Sequence, residues 1–101
     1  MIELKDTQWL ERLSKIDYAY QPIVNIHTGN AFGFEALLRN HREAGFTSID
    51  DLFDQAYDQG LLHQVDMVLR QKAFAKFAPF KQKHRTKLFY NIDSRLFQSQ
   101  D

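Results

Sequence analysis

The 101-residue chain contains no cysteine and has no excess of charge of either sign. The absence of cysteine excludes disulfides, thiolate nucleophiles and cysteine-ligated zinc. Thirteen basic residues (Lys and Arg) balance thirteen acidic ones, so net charge gives no argument for binding to nucleic acid polymers or anionic membranes. No apolar run approaches the roughly 20 residues of a transmembrane helix, and the charged amino terminus lacks a signal-peptide core. We therefore expect a soluble cytoplasmic chain, while leaving open a parent protein with membrane-attached parts elsewhere.

The chain is instead rich in apolar residues, which make up 44% of it, and aromatic residues account for 14%. This composition is typical of one globular domain, or part of one, with a modest core. Periodicity and turn residues first predict a helix capped by Asp6 and ending near Ile16, and then a β-hairpin within residues 18–39. Two helices follow, one capped by Ser48 and stopped by Gly60, and one over residues 61–77 closed by Pro79. The last predicted segments are a basic connector over residues 81–87, a short buried strand in LFYNI and the first turn of another helix. Strands separated by two helices predict a parallel crossover, and so incomplete a sheet suggests part of a larger α/β domain.

The second strand of the predicted hairpin, AFGFEALLR, contains charged residues in an apolar setting. Strand alternation separates two faces, namely Phe32, Phe34, Ala36 and Leu38 on one and Gly33, Glu35, Leu37 and Arg39 on the other. Glu35 and Arg39 lie about 13 Å apart along the strand, too far to pair with each other. A carboxylate suits a hard metal ion, and an arginine suits a phosphate. With Asn91 near the end of the next strand, these residues are candidates for one metal-and-phosphate site, and a solvated sheet edge is the alternative.

The segment YQPIVNIHTGNAFGFEALLR resembles the start of the EAL family of cyclic-di-GMP phosphodiesterases. The Gln-Pro-Ile run at 21–23, the glycine turn, Gly33-Phe34 and the run from Glu35 to Arg39 match in order and spacing. The strand LFYNI is similar to the family's next motif, a buried strand that ends in a metal-binding asparagine. Residues 51–74 are similar to the two helices between these motifs, so the resemblance covers about residues 18 to 97.

The resemblance implies a modified TIM (β/α)8 barrel whose first strand runs antiparallel to the second. Residues 1–17 would form a helix leading into the domain, and residues 18–101 its incomplete amino-terminal portion, with the first hairpin, two helices and the third strand. Family members hydrolyse cyclic-di-GMP to linear pGpG in bacterial second-messenger signalling, with two divalent metals, Mg²⁺ or Mn²⁺. By resemblance, Glu35 and Asn91 would act in catalysis as metal ligands, Arg39 would hold a substrate phosphate, and Gln21 and Leu37 would line the nucleotide groove.

Other carboxylates and a lysine that the family uses on later strands are not among these residues. We therefore expect the parent domain to be a hydrolase but the 101-residue chain alone to be inactive. Its uncovered strand edge predicts self-association or domain swapping. Asp93 departs from the serine that the family most often has after Asn91-Ile92, which leaves the details of the metal site open.

Two further interpretations remain open at the level of sequence. A degenerate EAL domain would act as a non-catalytic cyclic-di-GMP receptor or as a protein-interaction module. A free-standing α/β interaction module would share only the motif. Among the remaining polar residues, Asp66 and Arg70 are four apart on a predicted helix, and we expect them to form a surface pair.

Overall fold

The computed structural model describes residues 3–98, which form three helices, three strands and a short 3₁₀ helix. The elements are α1 (Thr7–Ser14), β1 (Asp17–Val24), β2 (Ala31–Arg39), α2 (Ile49–Asp58), α3 (Leu62–His84), β3 (Lys87–Tyr90) and the 3₁₀ helix (Ser94–Phe97). The sheet has the order β1-β2-β3, with β2 antiparallel to β1 and parallel to β3. The predicted hairpin and parallel crossover are therefore both confirmed. Residues 1–2 of the predicted leading segment (1–17) and residues 99–101 of the predicted domain portion (18–101) lie outside the described part.

The two shorter helices begin at the caps that the sequence predicts. The Asp6 carboxylate accepts a hydrogen bond from the Trp9 backbone N–H (3.1 Å), and the Ser48 hydroxyl accepts one from the Asp51 N–H (2.9 Å). Both contacts satisfy backbone donors that the first turn of a helix leaves without partners. Helix α2 then ends just before Gly60, whose φ of 71° lies in the left-handed region that glycine adopts without steric cost.

Helix α3 is longer than the sequence predicts, because it continues through Pro79 to His84. Proline removes one helical hydrogen bond and is expected to end a helix. Here the aromatic rings on both sides of it pack against Phe34 of β2: the centroid of Phe34 lies 5.8 Å from that of Phe77 and 5.0 Å from that of Phe80. The predictions that Pro79 closes the helix and that residues 81–87 form a connector are therefore wrong. Even at 23 residues, neither α3 nor another helix within residues 3–98 is long and apolar enough to cross a membrane.

The alternation of β2 is interrupted at Phe32. The register shifts between Ile23 and Val24 of β1, where the pairing of β2 skips Phe32. Such a β-bulge turns the extra residue out of the regular alternation. The Phe32 ring is 51% exposed and meets the Phe89 ring edge-on at 6.1 Å, on the side of the sheet away from α3. The prediction that Phe32 shares the packing face of β2 is therefore wrong.

The hydrophobic core lies between α3 and one face of the sheet, and α1 and α2 complete it. Its most deeply buried side chains are Trp9, Leu13, Ile16, Ala44, Phe46, Leu52, Ala56, Val65, Leu69 and Ala73. From the sheet, Tyr18, Ala36 and Leu38 are buried against these helices, as the alternation of β2 predicts for the last two. Strand β3 is only half-covered, since Phe89 is 43% exposed. The strand predicted in LFYNI thus exists, but the prediction that it is buried is wrong because α3 packs against only one of its faces.

Gly33 leaves room for the Phe89 ring on the open face of the sheet, which is the face that α3 does not cover. A β-carbon at this position would lie 2.5 Å from Cε2 of Phe89 and 3.2 Å from the Lys87 carbonyl oxygen. We expect G33A to destabilise the chain by about 1–3 kcal/mol through this overlap, measured by urea unfolding. In an F89A background the cost should fall by about 1 kcal/mol, because the two positions are coupled. A stabilised G33A variant, as expected for an unobstructed strand glycine, would contradict the predicted overlap.

Candidate functional site

A cleft of about 450 Å³ opens where β2 and β3 end and α2 begins. Its walls include Glu35 and Leu37 from β2, Asn91 after β3, and the acidic residues Asp50 and Asp93. In sheets that contain parallel strands, ligands bind outside the carboxyl ends of those strands. The position of this cleft therefore makes it the candidate functional site of the described chain.

Glu35 occupies the middle of the sheet at this cleft. Its α-carbon pairs with Gln21 of β1 on one side and with Phe89 of β3 on the other. Asn91 directly follows Tyr90, the last residue of β3, and is exposed. The structure thus brings Glu35, Leu37 and Asn91 to one cleft, and their chemical roles remain predictions.

The other two predicted site residues do not line this cleft as residues 3–98 form it. Gln21 is exposed on β1, one strand away from the cleft wall but directly beside Glu35 in the sheet. Arg39 is the exposed last residue of β2, and its Nη1 donates a hydrogen bond to the Leu38 carbonyl oxygen (3.1 Å). By strand pairing and alternation, both residues lie on the face of the sheet that Glu35 occupies.

Arg95 is a cleft residue that the sequence reasoning missed. Its Nε and Nη2 donate to the Asp93 carboxylate at 3.0 and 2.8 Å, and Nη2 also lies 3.0 Å from Oδ1 of Asp54 in α2. The same Asp93 carboxylate accepts from the Arg95 backbone N–H (2.9 Å) and so caps the 3₁₀ helix. The carboxylate of Asp93, the residue that departs from the family pattern, is therefore hydrogen-bonded to Arg95. An aspartate two residues before an arginine at a helix start is the signal that could have indicated this contact.

The donor set of the cleft has the right chemistry for a hard divalent cation but is small. The Glu35 carboxylate and the Asn91 amide oxygen are ligand types that Mg²⁺ and Mn²⁺ accept. Within residues 3–98, however, no three His, Asp or Glu side chains lie close enough to hold a metal ion together. The residues present fit one part of a metal site.

Asp66 is buried behind the cleft, which corrects the prediction of a surface pair with Arg70. The Asp66 side chain faces the sheet and its residue is only 4% exposed. Its Oδ2 lies 2.7 Å from Nη2 of Arg70, and its Oδ1 accepts a hydrogen bond from the Tyr90 hydroxyl (3.2 Å). Burial raises the pKa of Tyr90 and lifts the pKa of the neighbouring Tyr18 to about 12, so both hydroxyls remain donors at neutral pH.

A mixed sheet packed against helices, with a cleft at its strand ends, is typical of α/β domains, and comparison with known proteins identifies the family. The family model described as EAL domain matches residues 5–101. The chain therefore belongs to the EAL domain family, as its sequence motifs indicate. EAL domains are generally cyclic-di-GMP phosphodiesterases, which use divalent metals, or degenerate receptors. Comparisons with curated proteins and with solved structures give no significant match.

The Asp93–Arg95 contact predicts a change in stability at acid pH. The hydrogen bond from Arg95 lowers the pKa of Asp93 below its ordinary value of 3.8. A carboxylate with a lowered folded-state pKa contributes stability above its unfolded pKa, and this contribution is lost as pH falls through the folded pKa. Between about pH 5 and 2, the thermal midpoint of the wild-type chain should therefore fall more steeply than that of D93N.

The matched control is D58N, at an exposed position of α2 outside the cleft. Its midpoint should follow the wild-type dependence on pH. If D93N and D58N lose stability in parallel with the wild type, the Asp93–Arg95 contact does not contribute to acid sensitivity.

Proposed function

We propose that the chain forms the amino-terminal part of a metal-dependent EAL phosphodiesterase domain, which hydrolyses cyclic-di-GMP to linear pGpG in bacterial second-messenger signalling. In this proposal residues 1–17 lead into the domain and residues 18–101 belong to it. The observation that carries the proposal is the meeting of Glu35 and Asn91 in one cleft, where Glu35 lies one residue before the last pair of the parallel β2–β3 ladder and Asn91 directly follows that ladder. This is the end of a TIM barrel at which catalytic side chains lie.

The one-sided cover of the sheet supports the barrel part of the proposal. Parallel strands are normally covered on both faces, whereas here α3 packs against one face and the other carries the exposed Phe32 and Phe89. In a closed barrel that second face would be the interior, filled by side chains from further strands. Among the described residues β3 also pairs only with β2, and this free edge is the reason why self-association of the chain remains a prediction.

The proposed roles come from the resemblance to EAL domains, and the chemistry of the side chains is compatible with them. Glu35 and Asn91 would hold Mg²⁺ or Mn²⁺ through oxygen atoms. When bound, two such ions supply an activated water and neutralise charge at phosphorus. Arg39 would bind a substrate phosphate through the donors of its guanidinium group, one of which is engaged by the Leu38 carbonyl. Gln21, beside Glu35 in the sheet, and Leu37, in the cleft wall, would contact the nucleotide.

The role of Glu35 and Asn91 can be tested by paramagnetic broadening with Mn²⁺. We expect Mn²⁺ to broaden the NMR amide signals of residues 33–37 and 89–92 of the 101-residue chain before others. E35A should raise the Mn²⁺ concentration that half-broadens the Asn91 signal by about 10-fold or more, because a carboxylate ligand is lost. The matched control is E43A, since Glu43 is exposed and lies outside the cleft. Equal broadening in E35A and E43A would contradict a metal site at Glu35.

The 101-residue chain by itself should show no hydrolysis of cyclic-di-GMP. Two-metal chemistry needs several carboxylates, and the described residues bring no three of them together. The measurement is chromatographic detection of pGpG after incubation with Mn²⁺. Turnover that disappears in E35A would show that the chain suffices, and would overturn this expectation while supporting the site.

The alternative function is that of a degenerate EAL domain that acts as a receptor. The same assay, on a longer protein that contains this chain, distinguishes this receptor from the phosphodiesterase. Turnover there that E35A reduces at least about 1,000-fold supports the phosphodiesterase, on the scale of removing an essential catalytic group. Binding of cyclic-di-GMP without turnover in the presence of Mn²⁺ supports the receptor.

A further inference from the structure

Asp66 is a buried carboxylate that the proposed reaction does not use. It lies on α3, behind the sheet, and its two oxygens are engaged by different partners, Arg70 at 2.7 Å and the Tyr90 hydroxyl at 3.2 Å. The Arg70 side chain is 37% exposed, and ion pairs that reach solvent contribute little to stability. The pair with Arg70 therefore does not account for burying this carboxylate with its second oxygen at the Tyr90 hydroxyl.

Tyr90 connects this buried carboxylate to the candidate cleft. It is the last residue of β3, pairs with Ala36 in the parallel ladder and directly precedes Asn91. Its ring packs against Phe74 edge-on at 5.8 Å, and the Arg70 guanidinium lies 5.5 Å from the ring centroid. A shift of Tyr90 would therefore move Asn91 through a single peptide link.

The chain around Asn91 is held at two places. After Asn91, Leu96 is half-buried against the core and Arg95 pairs with Asp54 at 3.0 Å. Asn91 itself is exposed, and strand β3 before it spans only four residues. Tyr90 directly precedes Asn91, whereas Arg95 and Leu96 follow it four and five residues later, so Tyr90 is the closer of the two attachments.

We propose that Asp66 is a positioning residue for Asn91: by accepting the Tyr90 hydroxyl, it fixes the end of β3 and so orients the Asn91 amide toward the cleft that it shares with Glu35. This inference rests on the proposed function, because it takes Asn91 as a metal ligand. It assigns to Asp66 no contact with metal or substrate.

The test measures Mn²⁺ binding by the full 101-residue chain through broadening of the Glu35 backbone amide signal. D66A, which removes the acceptor, and Y90F, which removes the donor, should each raise the half-broadening concentration about 3- to 10-fold, somewhat less than the loss of a direct outer-shell partner of a metal ligand. The double variant should be no weaker than the single ones, because both changes break one contact. In the absence of metal, the side-chain amide signals of Asn91 should move in the same direction in both variants.

The matched control is D17A, which breaks another Asp–cation contact between the sheet and α3, that of Asp17 with Lys76 at 2.9 Å. D17A should leave the Asn91 signals and the Mn²⁺ response at wild-type values, so that general loosening of the sheet is distinguished from positioning. If D66A does not fold, Y90F, which retains the ring, decides the question.

N91A separates failure of this inference from failure of the proposed function. If N91A weakens the Mn²⁺ response while D66A and Y90F leave it unchanged, the positioning role is overturned and the metal site stands. If N91A has no effect, or if the wild-type chain shows no localised broadening, the metal site is contradicted and the positioning role with it.

Discussion

Burial of one face of the sheet against α3 is the constraint on which the rest of the structure depends. Ala36 and Leu38 of β2 enter the core beside Leu69 and Ala73 of α3. Because successive residues of a strand point to opposite faces, this burial places the intervening Glu35 and Leu37 on the other face. A charged residue in an apolar strand is thus explained by exclusion from the core. Glu35 lines a cleft at the strand ends that the core-facing Ala36 and Leu38 also border.

The sequence predicts those features that local chemistry determines. The caps at Asp6 and Ser48 and the left-handed Gly60 depend on a few neighbouring residues, and the structure has them as expected. The faces of β2 follow from alternation alone, which is why Glu35 and Leu37 could be assigned to the face away from the core. The predicted succession of strands also indicated that Glu35 and Asn91, which are distant in sequence, belong to one site, and the structure places both in one cleft.

The incorrect predictions concern features that depend on distant parts of the chain. Pro79 stays within α3 because aromatic packing with Phe34 outweighs a local helix-breaking preference. Phe32 leaves the packing face because pairing with β1 shifts by one residue, which the sequence of β2 alone does not reveal. Asp66 is buried because a tyrosine on β3 and an arginine on its own helix satisfy its oxygens, whereas a hydrophobicity pattern assigns every aspartate to the surface.

The walls of the cleft are held in different ways, and the difference indicates where the site can be altered. The Glu35 wall is fixed by sheet pairing on both sides, with Gln21 and with Phe89, and does not depend on any one side chain. The opposite wall follows a four-residue strand and is held by polar contacts, through Tyr90 to Asp66 and through Arg95 to Asp54. Hydrogen bonds and ion pairs fix directions more strictly than apolar contacts but weaken when one partner is changed. Single substitutions at these polar contacts should therefore alter the geometry of the Asn91 wall while the core between α3 and the sheet remains intact.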